Sequence, residues 1–147
     1  MITLDKIEQQ APGLVNLAKT AAVSLEKQGL GGQRAAVQLV LDHSGSMQPY
    51  YGNGAVQRLA EQALGLSVNL DDDGAVPLIF FGSYVEQYDD IRLDNYSGIV
   101  DTTHPRVHWG STDYVAAMHA AITEYQKSGA TDPGLVIFQT DGEPNSR

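Results

Sequence analysis

The chain has 147 residues, with 9 Lys+Arg against 18 Asp+Glu and a formal net charge of −9 when the histidines are neutral. Its length suits one domain with a sizeable core, and 42% hydrophobic with 18% charged residues is a globular rather than a disordered composition. The acidic balance argues against a phosphate-tracking nucleic-acid binder and against an anionic membrane surface as partner, while the absence of cysteine excludes disulfides, Cys zinc sites and thiol catalysis.

The N-terminus lacks a basic start and an apolar stretch of signal-peptide length. The longest apolar run of the chain, Ala75 to Phe81, is far short of the ~20 residues that span a bilayer. A soluble cytoplasmic protein is the expectation. Asp5 with Glu8 is a variant capping pair and predicts a helical start, interrupted at Pro12. Leu14, Leu17, Ala18, Ala21 and Leu25 then keep helical spacing to about Lys27, where Gly29, Gly31 and Gly32 end the helix. Ala35 to Leu41 reads as a strand buried on both faces and ending in Asp42. A polar loop, His43 to Gly54, follows it. Val56, Leu59, Ala60, Ala63, Leu64 and Ser67 predict an amphipathic helix, closed by the turn Asp71-Asp72-Asp73-Gly74.

Val76 to Phe81 reads as a second strand, with Tyr84 to Tyr88 returning as a hairpin across Gly82-Ser83. The polar stretch Asp89 to Gly110 is expected to wrap the surface with a short helix or two. Tyr114, Ala117, Met118, Ala121, Ile122 and Tyr125 mark another helix, with Tyr114, Met118 and Ile122 expected in the core. Leu135 to Gln139 is a third buried strand, ending at Thr140-Asp141-Gly142. Strands alternating with helices imply an α/β fold: a doubly wound, mainly parallel sheet with helices on both faces. Residues 1–32 read as an N-terminal helical segment and 33–147 as the α/β domain.

Asp42 and Asp141 both sit at carboxyl ends of buried strands, where open α/β sheets bind their ligands. Two carboxylates facing one another there would repel and lose hydration, a conflict that a divalent cation resolves. Ser44 and Ser46 follow Asp42 at alternate spacing, and Thr112 adds a hydroxyl near a helix start. These are hard oxygen donors, suited to Mg²⁺, Mn²⁺ or Ca²⁺ and not to zinc or copper. Asp42-x-Ser44-x-Ser46 alone is also compatible with a self-capped turn. Asp71-Asp72-Asp73 lacks the spacing of a calcium loop, and Asp101, His104 and His108 read better as a surface loop than as a zinc site. His43 reads either as a tuner of partner choice or as a solvated side chain, and Tyr50, Tyr51 and Trp109 either as rim contacts or as ordinary packing.

Asp42-His43-Ser44-Gly45-Ser46-Met47, Thr112 within Gly-Ser-Thr-Asp, and Thr140-Asp141-Gly142 together resemble the three loops of a von Willebrand factor A domain. The flanking sequence is similar to bacterial von Willebrand A proteins associated with tellurium resistance. The resemblance implies a metal-ion-dependent adhesion site. Ser44 and Ser46 would coordinate Mg²⁺ directly, Thr112 would do so when a partner is engaged, and Asp42 and Asp141 would act directly or through water. An ion held mostly by neutral hydroxyls keeps much of its charge and attracts a carboxylate from a protein partner, which describes a non-catalytic binding module in a tellurium-resistance or stress-response system. The family domain continues past its third loop, so Leu135 to Gln139 is expected at an open sheet edge, in a fragment or in a chain that another chain completes. The rival reading is a Mg²⁺-dependent phosphoryl-transfer hydrolase with Asp42 as nucleophile. Ser44 stands where its second carboxylate is needed, and no phosphate loop or nucleophile elbow is present. A scaffold with a non-functional metal site is the third reading.

Overall fold

The computed structural model describes residues 2–71 and 74–141. Helix α1 (Leu4–Gln10) starts at Thr3, not at Asp5: Thr3 is extended, and its Oγ1 accepts from the Lys6 N–H at 3.3 Å. Asp5 falls in the first turn, where a carboxylate favours the positive end of the helix dipole. Pro12 opens a 3-10 turn (Pro12–Leu14) that leads into α2 (Val15–Lys27). Strand β1 (Ala36–Asp42) is buried along nearly its whole length. Beyond it the polar segment winds into a 3-10 turn (Gly45–Met47) and the short helix α3 (Gln48–Gly52), more ordered than the loop its composition suggests. Helix α4 (Ala55–Leu70) follows. Asp72 and Asp73, which the sequence pattern assigns to a turn, lie outside the described residues.

The single strand expected over Val76 to Phe81 is divided. Strand β2 (Ala75–Val76) pairs antiparallel with β5 (Ile91–Arg92) in a two-stranded sheet, and β3 (Leu78–Phe81) enters the main sheet. Pro77 is the cause: it has no N–H to continue a ladder, although its carbonyl still accepts from the Leu39 N–H at 3.0 Å. Strand β4 (Val85–Gln87) returns antiparallel on β3, as the hairpin reading predicts. The polar stretch that follows holds β5, helix α5 (Ile99–Thr103) and a 3-10 turn (His104–Arg106). Helix α6 (Tyr114–Ser128) is capped by Asp113, whose Oδ1 accepts from the Ala116 N–H at 3.0 Å, and strand β6 is Gly134–Gln139.

The main sheet has the order β4-β3-β1-β6, with β1 parallel to both β3 and β6. Val37, Leu39 and Leu41 of β1 join a core with buried residues of α1, α2 and α4, among them Ile7, Ala18 and Leu64. Val40 faces the other way, toward Ala117 and Ala121 of α6. Helices therefore cover both faces of a mainly parallel sheet, the architecture expected from the strand–helix alternation. No helix among the described residues is long and apolar enough to cross a membrane.

Two core expectations fail, both on the α6 side. Met118 is 44% and Ile122 55% exposed, while the alanines beside them are buried. The small side chains of Ala117 and Ala121 let α6 approach Val40, Ile79 and Phe81 closely, which turns the larger residues outward. Strand β6 is half-buried rather than enclosed, since among the described residues β1 flanks it on one side only. This rotation of α6 is testable by urea denaturation. Ala117→Leu should cost about 1–3 kcal/mol through overpacking, and Met118→Ser should stay within about 0.5 kcal/mol of the parent.

Candidate functional site

Asp42 ends β1 at the point where the chain leaves the sheet, and its side chain is fully buried. Burial of a carboxylate is costly unless its oxygens are satisfied. Here the Ser44 N–H donates to Oδ1 at 2.8 Å and the Thr140 hydroxyl donates to Oδ2 at 2.7 Å. Because the one Thr140 proton goes to Asp42, the Tyr114 hydroxyl must donate to Thr140 Oγ1, 2.9 Å away. The Tyr51 hydroxyl donates to the Asp42 carbonyl at 2.8 Å, and burial pushes that phenol upward, so it stays a donor. Every hydrogen-bond donor to Asp42 among the described residues is neutral.

The loop after Asp42 turns back over this carboxylate. Ser44 is buried and Ser46 exposed, with their Oγ atoms 3.2 Å apart. Neighbouring ligands of an octahedral Mg²⁺ at roughly 2.0–2.1 Å stand about 2.9 Å apart. The two hydroxyls thus have near the spacing of adjacent ligands, beside a buried negative charge and with hard oxygen donors only. Such a set fits a divalent cation of the Mg²⁺ type. Among the described residues no three His, Asp or Glu side chains converge to hold a metal, so a metal here would draw on hydroxyls.

The second loop is stitched to the first. Gly110 forms a parallel bridge with Ser44: its N–H donates to the His43 carbonyl and its carbonyl accepts from the Gly45 N–H, both at 3.2 Å. A side chain at Gly110 would meet the Ser83 backbone nitrogen at 2.6 Å, so this close approach requires glycine. Two residues on, Thr112 is buried, immediately before the α6 cap Asp113, whose N–H donates to the Gly82 carbonyl at 3.0 Å. The third loop begins where β6 ends. The side chain that reaches Asp42 from it is Thr140, and Asp141, the next residue, is exposed. Gly142 lies outside the described residues. The structure therefore joins Asp42, Ser44 and Ser46 directly, sets Thr112 in a loop bonded to theirs, and leaves Asp141 at the exposed end of the third.

The hydrogen bonds by which Thr140, Tyr114 and Tyr51 support Asp42 are roles that the sequence pattern does not reveal. The pairing of Leu41 with Gln139 puts Thr140 level with Asp42, and that register is a property of the sheet. His43 is not solvated: it is fully buried, and its ring stacks on Trp109 with centroids 3.7 Å apart and planes 10° from parallel. The His108 carbonyl lies 3.2 Å from Nδ1, which must therefore carry the proton, leaving Nε2 to accept from His104 Nδ1 at 3.4 Å. His108 itself turns to Glu86, with Nδ1 3.3 Å from Oε1. His104 and His108 thus have separate partners, in keeping with a surface loop rather than a zinc site.

Two outcomes follow for metal-free protein in chelator. Thr140→Val strands a buried carboxylate oxygen and should lower stability by about 1–3 kcal/mol in urea. Burial lowers His43 to about 4, against an ordinary value of 6.5. The unfolded chain binds the extra proton first, so the His43 contribution is complete above about pH 6.5 and is lost as pH falls toward about 4. Melting temperature measured across that window should fall less steeply for His43→Phe than for the parent.

Residues 34–147 match the family model vWA-TerF-like, described as the vWA found in the TerF C terminus. The chain is also 30% identical over 129 residues to YcbR, an uncharacterized protein of Bacillus subtilis (strain 168), in an alignment covering 84% of this chain and 53% of that protein. It spans about half the length of that relative. The three-loop arrangement and the family match agree, and the chain belongs to the von Willebrand A domains of the type found at the C-terminus of TerF.

Proposed function

We propose that this domain is a non-catalytic, metal-ion-dependent protein-binding module of the metal-ion-dependent adhesion type, acting in the cytoplasm within a tellurium-resistance or stress-response system. Ser44 and Ser46 would hold Mg²⁺ (Mn²⁺ or Ca²⁺ in its place), with Thr112 from the second loop and Asp42 and Asp141 directly or through water. The observation that best supports this reading is the fully buried Asp42 carboxylate, served only by neutral donors among the described residues and set beside two hydroxyls 3.2 Å apart. A cation at the hydroxyls offsets the buried charge that those neutral donors leave in place.

Neutral hydroxyl ligands also leave the ion electrophilic. A carboxylate from a protein partner then completes the octahedron, which is a binding event and not a reaction. The hydrolase alternative gains nothing from the geometry. As a nucleophile Asp42 would have to be accessible, and it is fully buried with both oxygens engaged.

Titration of the intact protein with Mg²⁺, followed by calorimetry and by melting temperature, tests the reading. At a hundred times its dissociation constant the ion should add about 2.7 kcal/mol of stability. Ser46→Ala removes an exposed hydroxyl, so it should weaken Mg²⁺ binding while leaving the metal-free melting temperature nearly unchanged. Absence of Mg²⁺, Mn²⁺ and Ca²⁺ binding by the intact domain, or binding by Ser46→Ala and Ser44→Ala unchanged from the parent, would defeat it.

A further inference from the structure

The exposed aromatic side chains among the described residues are Tyr50, Tyr84, Tyr88 and Trp109, and the other exposed large apolar residues are aliphatic. The Arg106 guanidinium already lies over the Tyr88 ring, 5.3 Å from its centroid. The remaining three come from segments bound to one another around the Asp42 loop. Tyr50 adjoins Tyr51, which bonds the Asp42 carbonyl. Tyr84 follows Ser83, whose Oγ is 2.8 Å from that of Ser111, and Trp109 precedes Gly110, which bridges to Ser44.

Trp109 is the best anchored of the three. One face of the indole is stacked on buried His43, and Tyr51 and His104 meet the ring system at steep angles, 85° and 64°. Even so, Trp109 remains 40% exposed. A rigid, half-exposed aromatic offers contact area at little cost in conformational entropy, the usual character of an energetically dominant interface residue. The chain as a whole carries net charge −9, which disfavours encounter with an acidic partner and favours a basic one.

We propose that the partner segment carries an Arg or Lys beside the carboxylate that meets the ion, and that Trp109 receives this cation on its exposed face while Tyr50 and Tyr84 flank it. The proposal rests on the metal-dependent reading of the site above. It makes the partner a locally zwitterionic stretch of a basic protein, rather than an acidic one.

Trp109 is the single tryptophan of the chain, so its fluorescence reports on this position alone. The intact protein in saturating Mg²⁺ is titrated with two probe peptides, acetyl-Arg-Ala-Asp-Ala-Arg-amide and acetyl-Ala-Ala-Asp-Ala-Ala-amide. Calorimetry repeats the pair on Trp109→Leu, which keeps apolar bulk and removes the π-face. The expected result is at least about threefold tighter binding of the arginine peptide with a change in Trp109 emission, a preference lost in Trp109→Leu. Equal affinity of the two peptides, binding of neither, or an arginine preference that survives Trp109→Leu overturns the proposal. The Mg²⁺-induced rise in melting temperature, measured on the same samples, separates the two failures. With the rise present only the assignment to Trp109 falls, and without it the metal-dependent reading falls as well.

Discussion

The buried carboxylate of Asp42 is the constraint on which the rest of the site depends. It ends the central strand, where desolvation penalises its charge, and it is tolerated because Ser44 and Thr140 each donate to one of its oxygens. Ser44 lies 2 positions and Thr140 98 positions along the chain from Asp42, so a single side chain links the loop after β1 to the end of β6. Tyr114 extends the link into α6 through Thr140. One carboxylate thereby ties two strands and a helix into a common mouth at the carboxyl edge of the sheet.

Backbone pairing completes what the side chains begin. Gly110 runs beside Ser44 as if it were a further strand, and the absence of a side chain there lets Ser83 approach. The first and second loops are consequently bonded to one another and packed against the turn after β3. Binding sites hold their geometry best when the residues that carry them are locked by a supporting layer. Here that layer consists of main-chain bonds together with the His43, Tyr51, Phe80 and Trp109 rings packed below the loops.

The two faces of the sheet are unequal. One carries a core built from α1, the 3-10 turn after it, α2 and α4, including the large buried side chains Ile7, Leu14 and Leu64. The other carries α6, held by alanines against Val40, Ile79 and Phe81. Small contact residues bring the helix close and also bring its capped N-terminus to the mouth, directly after Thr112. The outward turn of Met118 and Ile122 is the other consequence of that same choice of residues.

The order of strands and helices, the buried character of β1, and the gathering of Asp42, Ser44 and Ser46 on one loop were legible in the sequence, because hydrophobic periodicity and short-range spacing are local properties. Local pattern also carried the breaks at Pro12 and the glycines after α2. The division of the strand at Pro77 was legible in principle, since proline has no donor for the ladder, but the continuous apolar run concealed it. Which face α6 buries was not legible: Ala117 and Ala121 share a spacing with Met118 and Ile122, and only the depth of packing against Val40 decides between them. Thr140, Tyr114 and Trp109 became parts of the site through parallel register and loop pairing. Those are contacts between distant segments, and no periodicity within a segment encodes them.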